Sequence, residues 1–191
     1  MEINIVDTVD RGLLTVWRQL LSLNQNPIEI SKGPNGVDRM VSKVIEVAQK
    51  PGAINVLRVY SHGNSGMFAI TGGDHDIDPS SLIADWNIQK VEPTLRKLAP
   101  YFAKDGRFEI YGCYVATHLD DKTDVHSFKI NSEGQQLISR LARLLGVKVL
   151  ASGNTAKGLA ISSIGFSGTV IQADPTGAVG CAEPIPIGKI K

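Results

Sequence analysis

Short apolar runs rich in β-branched residues alternate along this chain with segments whose apolar residues recur at helical spacing, and that alternation restricts the architectures open to it. Ile54 to Tyr60 is short, mostly apolar and bounded by turns, as a buried strand should be. Ahead of it, Val37, Met40, Val41, Val44, Ile45 and Ala48 line one side of a helix that stops near Pro51-Gly52. Beyond it, Leu82 to Ala103 has helical character broken by Pro93 and Pro100, which predicts two helical pieces. Phe108 to Val115 is a second central strand, and Leu137, Leu141, Leu144 and Leu145 form the buried stripe of a helix ended by Gly146. Val147 to Ala151 and Gly165 to Ile171 supply a third and a fourth strand, and Ile3 to Val6 is a further short apolar run.

Strand and helix in this alternation imply right-handed crossovers and a mainly parallel sheet covered on both faces, hence a three-layer α/β/α domain. A chain of 191 residues suffices for one well-buried core, so a single domain over 1–191 is expected. Asp174 to Lys191, punctuated by proline and glycine, is expected to be an extended tail. With 42% hydrophobic and 20% charged residues the chain has the composition of a folded globular protein, and a net charge of +1 offers no electrostatic case for nucleic acid or a membrane surface. No apolar run approaches the ~20 residues that span a bilayer, and Met1-Glu2-Ile3-Asn4 lacks the features of a signal peptide. The two cysteines, Cys113 and Cys181, are too few for a disulfide framework and lack metal-site spacing, so a reducing, cytoplasmic setting is the simpler expectation.

In an open parallel sheet, ligands bind beyond the carboxyl ends of the strands, where loops converge. Two strands end there in reactive residues. Val56-Leu57-Arg58-Val59-Tyr60 runs into Ser61-His62-Gly63-Asn64, and Phe108-Glu109-Ile110-Tyr111 runs into Gly112-Cys113-Tyr114-Val115-Ala116. If the strands are neighbours, His62 and Cys113 share one rim. A thiol of ordinary pKa, ~8.5, is only a few per cent ionised at neutral pH, so a nearby imidazole increases the usable nucleophile. The backbone N–H groups of Gly63 and Cys113 could form an oxyanion hole, and Gly112 permits a sharp turn before the thiol. Ser61, Ser152 and Asn154 end strands at the same rim and are candidates for lining a substrate pocket.

These paired blocks resemble the motifs of the caspase, gingipain and legumain clan of cysteine peptidases, in which one hydrophobic block ends in His-Gly and a second in Cys. The separation of the two residues, about 50, matches that in caspases. Within the clan the wording is most similar to a bacterial domain of uncharacterised function found in large surface or secreted proteins, with Tyr60-Ser61-His62-Gly63 and Tyr111-Gly112-Cys113-Tyr114-Val115-Ala116 in the motif positions. The likeness runs over roughly residues 54–158, through Gly134 to Gly146 and Val147-Lys148-Val149-Leu150-Ala151-Ser152. It implies a caspase-like fold, a His62/Cys113 dyad that needs no cofactor or metal, a peptide or protein substrate that includes the chain itself in an autoprocessing reaction, and export as part of a larger bacterial protein as an alternative location. The Gln-Ala-Cys of caspases is replaced by Tyr111-Gly112-Cys113, so a preference for aspartate does not carry over.

A non-catalytic caspase-like module that binds a peptide or protein at the same rim is the alternative to a peptidase, because a shared scaffold does not imply shared chemistry. A nucleotide-binding protein is disfavoured by the lack of a GxxxxGK[ST] or GxGxxG pattern after any strand. Asp74-His75-Asp76-Ile77-Asp78 alternates oxygen ligands but lacks the glycine and glutamate of an EF-hand loop, so a polar turn is expected. His118 and His126 flank Asp120, Asp121 and Asp124 in a charged loop read as solvated, with a substrate-facing role as the other option. Cys181 is expected to be incidental.

Overall fold

The run Ile54–Tyr60 lies in the middle of the sheet, which explains why its residues are almost all buried. The computed structural model describes residues 1–9, 12–71, 78–120, 125–127, 132–153 and 169–182. In chain order they form β1 (Glu2–Asp7), α1 (Leu13–Ser22), β2 (Ile28–Ile30), α2 (Gly36–Ala48), β3 (Ile54–Tyr60), β4 (Gly63–Asn64), β5 (Met67–Ala69), β6 (Leu82–Ala84), α3 (Ile88–Leu95), β7 (Phe102–Tyr111), β8 (His118–Asp120), β9 (Val125–Ser127), α4 (Glu133–Leu145), β10 (Lys148–Ser152), β11 (Val170–Ala173) and β12 (Val179–Ala182). Single 3-10 segments occupy Pro79–Ser81 and Arg96–Tyr101.

The seven-stranded sheet has the order β12-β11-β10-β7-β3-β1-β2. Strands β2, β1, β3, β7 and β10 run parallel, and β11 and β12 close one edge in antiparallel pairing. Alternation along each strand divides the core in two. Ile5, Leu57, Val59, Phe108, Ile110 and Val149 face the apolar stripes of α2, α3 and α4. Val6, Tyr60, Tyr111 and Leu150 face Leu13, Val16 and Leu20 of α1. The domain is therefore three-layered α/β/α, as expected, with three helices on one face and α1 on the other.

Helix boundaries follow local chemistry. Helix α2 buries Val37, Met40, Val41, Val44 and Ala48 and stops at Gln49, whose φ of 61° is left-handed, just before Pro51-Gly52. Ser132 caps α4 by accepting a hydrogen bond from the Gln135 amide, and Gly146 at φ 70° returns its amide to the Ala142 carbonyl.

Several expectations are corrected. The stretch 82–103 is not helical throughout: Leu82–Ala84 pair with β5, α3 and the following 3-10 segment are the two helical pieces, and Phe102-Ala103 already belong to β7. Strand β7 ends at Tyr111 rather than Val115, because Gly112 begins a turn. The fourth strand is Val170–Ala173, and the part of 165–171 before Thr169 lies outside the described residues. The tail contributes β12, so its first part is an edge strand of the main sheet rather than an extended appendage.

Candidate functional site

Strands β3 and β7 are direct neighbours, with Tyr60 opposite Tyr111. Their carboxyl ends are joined again by the Ser61 amide, which donates to the Tyr111 carbonyl at 3.2 Å. His62 and Cys113 therefore emerge at the same rim from adjacent strands. His62 is exposed and Cys113 partly exposed, so the rim is open to solvent.

The closeness of the two segments depends on glycine. A Cβ on Gly63 would lie 2.7 Å from the Cys113 carbonyl oxygen and 2.6 Å from Val115 Cγ2, both too close for real atoms. A Cβ on Gly112 would lie 3.2 Å from Gly63 Cα. The residue after His62 and the residue before Cys113 thus interlock backbone to backbone. Among the described residues, the amide of Cys113 donates no hydrogen bond.

The chain after Cys113 is held in an unusual turn. Tyr114 has φ 58°, a left-handed conformation that a side chain of this size rarely adopts. Its carbonyl accepts from the Thr117 amide at 2.9 Å and from the Thr117 hydroxyl at 2.7 Å. The Thr117 hydroxyl also meets Ser65 Oγ at 2.9 Å, and the Gly66 amide donates to the Val115 carbonyl at 3.1 Å. The Ala116 amide donates to the Ser152 carbonyl at 2.9 Å. The ends of β3, β7 and β10 are thereby clasped together around Cys113.

Of the expected pocket residues, Ser61 and Ser152 lie at this rim but are almost fully buried, at 1% and 2% exposure, and the Ser61 hydroxyl donates to the His62 carbonyl at 3.3 Å. Asn154 lies outside the described residues, as do 72–77, which include most of the 74–78 stretch, and Asp121 and Asp124. Asp78 caps the 3-10 segment Pro79–Ser81: it accepts from the Ser80 hydroxyl, from the Ser80 amide at 3.0 Å and from the Asn35 amide at 3.3 Å. The hydrogen bonds from Ser80 hold its carboxyl below the usual range. His118 and His126 belong to the β8–β9 hairpin, in which Leu119 is opposite His126. Cys181 is exposed on the edge strand β12, away from His62.

Below the rim lies a polar cluster that the motif analysis missed. Arg58 and Glu109 are directly opposite one another on β3 and β7, only 6% and 0% exposed, and Arg58 Nε donates to Glu109 at 2.8 Å. Arg58 also reaches Glu2 at 2.7 Å, while Glu109 accepts from Arg107 and from the Tyr111 hydroxyl at 2.8 Å. Burial alone would lower the Arg58 pKa, but its hydrogen bond to Glu2 and the charges of Glu109 and Glu2 outweigh this and raise it. Tyr60 and Tyr111 stack with centroids 4.6 Å apart. The available signal was a charge inside each apolar strand, Arg58 and Glu109, the same number of residues ahead of His62 and Cys113.

Two clefts open along α4, of about 440 and 300 Å³. They share Arg140 and Arg143, and neither includes a residue of the His62–Cys113 rim. Among the described residues there is no cluster of three or more His, Cys, Asp or Glu able to hold a metal ion, and no helix long and apolar enough to cross a membrane.

Fold and rim together define an α/β domain with a mainly parallel sheet, whose two central strands end in His-Gly and Gly-Cys segments in backbone contact. The chain belongs to the family described as Domain of unknown function (DUF4347), whose model matches residues 15–161. That span begins in α1, well before the motif-bearing strands, and contains both of them. No curated protein and no solved structure matches the chain.

Proposed function

We propose that the domain is a caspase-like cysteine endopeptidase in which His62 assists formation of the Cys113 thiolate. The thiolate attacks a peptide carbonyl, and His62 then protonates the departing amine, after which water releases the acyl group from sulfur. The observation that carries this reading is the interlock of Gly63 with Gly112 and Cys113, which brings a histidine and a thiol from neighbouring strands to one open rim. The amide of Cys113, without an acceptor among the described residues, and that of Gly63 are the donors for the developing oxyanion. The substrate class is a polypeptide, with a segment of the same chain as one source.

The test is labelling of Cys113 by iodoacetamide at neutral pH, read by peptide mass mapping, alongside cleavage of a denatured-protein substrate. The natural protein is expected to label at least roughly tenfold faster than His62→Ala, and Cys113→Ala is expected to abolish cleavage. Equal labelling rates in the two proteins, together with peptide binding but no turnover, would replace the peptidase by the binding module.

A further inference from the structure

Both residues of the rim are delivered by strand ends, so their meeting depends on the register between β3 and β7. That register is not set from the start of the strands. Ile54 pairs with Phe102 but Val56 pairs with Arg107, so β7 carries extra residues between these points, and regular pairing holds only from Val56 to Tyr60. Alternation of side chains cannot set it alone, because a slip of two residues returns every side chain to its original face.

We infer that the buried Arg58–Glu109 pair is a register lock and that Arg58 and Glu109 are positioning residues for His62 and Cys113. A two-residue slip in one direction would set Arg58 opposite Arg107, cation against cation, and bury Glu109 opposite Tyr60. In the other direction it would set Arg58 opposite Tyr111 and leave Glu109 opposite Val56. Either slip would separate two fully buried charges that are now paired at 2.8 Å, and only the observed register keeps both satisfied. It would also displace one strand end against the other by roughly 7 Å, at about 3.3 Å per residue, which is enough to part an imidazole from a thiol. The Tyr111 hydroxyl on Glu109 and the Tyr60–Tyr111 stack carry the same register up to the rim.

The inference rests on the peptidase reading only for what the lock serves, so its test reads geometry rather than activity. In a Cys181→Ala background, His62→Cys places a second thiol at the rim, and a short bis-maleimide then joins it to Cys113 in a product identified by mass mapping. Arg58→Met with Glu109→Leu, which preserves apolar volume, is expected to unfold cooperatively near the parent temperature while the linking rate falls roughly tenfold. Glu109→Gln, which keeps the shape and removes the charge, serves if the double variant does not fold, and is expected to fall in the same direction. Linking at the parent rate in either folded variant would overturn the lock, whatever labelling shows about the reactivity of Cys113.

Discussion

At the scale of single residues the rim is specified by what is missing from side chains as much as by what is present. Gly63→Ala would force a methyl against the Cys113 carbonyl and Val115, and neither neighbour is the free end of a flexible side chain. The expected result is a loss of about 1–3 kcal/mol in denaturant unfolding together with loss of His62-dependent labelling of Cys113. The reactive pair and its glycines were legible in the sequence because they are short-range patterns placed directly after apolar strands. The left-handed Tyr114 was not legible, since nothing in its side chain favours that conformation and only the ties through Thr117, Ser65 and Ser152 impose it. Arg58 and Glu109 were visible as isolated charges in apolar strands, but their pairing needed the register of β3 against β7.

At the scale of elements, the helices that carry a full apolar stripe and a stop signal were the readable ones. Helix α4 shows why: Leu137, Leu141 and Leu145 are buried, Ser132 caps the start and Gly146 the end. Ser132→Ala is expected to cost about 0.5–1 kcal/mol in chemical denaturation, since the cap bond to the Gln135 amide is long at 3.4 Å, with little change in Cys113 labelling. The segment 82–103 was misread for a physical reason. Leu82-Ile83-Ala84 are as helix-compatible as strand-compatible, and what makes them a strand is pairing with β5, a contact of tertiary origin. Helix α1 and strands β2 and β12 were left unassigned because they are short or close the sheet edges, where pairing rather than pattern decides.

At the scale of the whole molecule the two faces of the sheet differ in chemistry. The face covered by α2, α3 and α4 is wholly apolar in its cluster, whereas the face under α1 combines Tyr60 and Tyr111 with the Arg58–Glu109 pair. Burial raises both tyrosine pKa values, and Glu109 raises that of Tyr111 further. A raised folded-state value means that the stability these phenols contribute is complete below the unfolded tyrosine value of about 10 and is lost as pH rises past it. Unfolding at high pH is therefore expected to coincide with a single cooperative rise in tyrosinate absorbance, and Tyr60→Phe with Tyr111→Phe is expected to move the transition to higher pH. Independent, gradual ionisation of the tyrosines in a still-folded protein would contradict this.

The clasp around Cys113 also governs when the rim can exist during synthesis. Its last tie is the Ala116 amide on the Ser152 carbonyl, so a growing chain that has released His62 and Cys113 from the ribosome but not yet β10 holds both reactive residues without the turn that presents them. Assembly of the site is thus deferred until the parallel sheet has recruited a strand made well after the thiol, and a nascent chain is spared chemistry at its own unfolded segments.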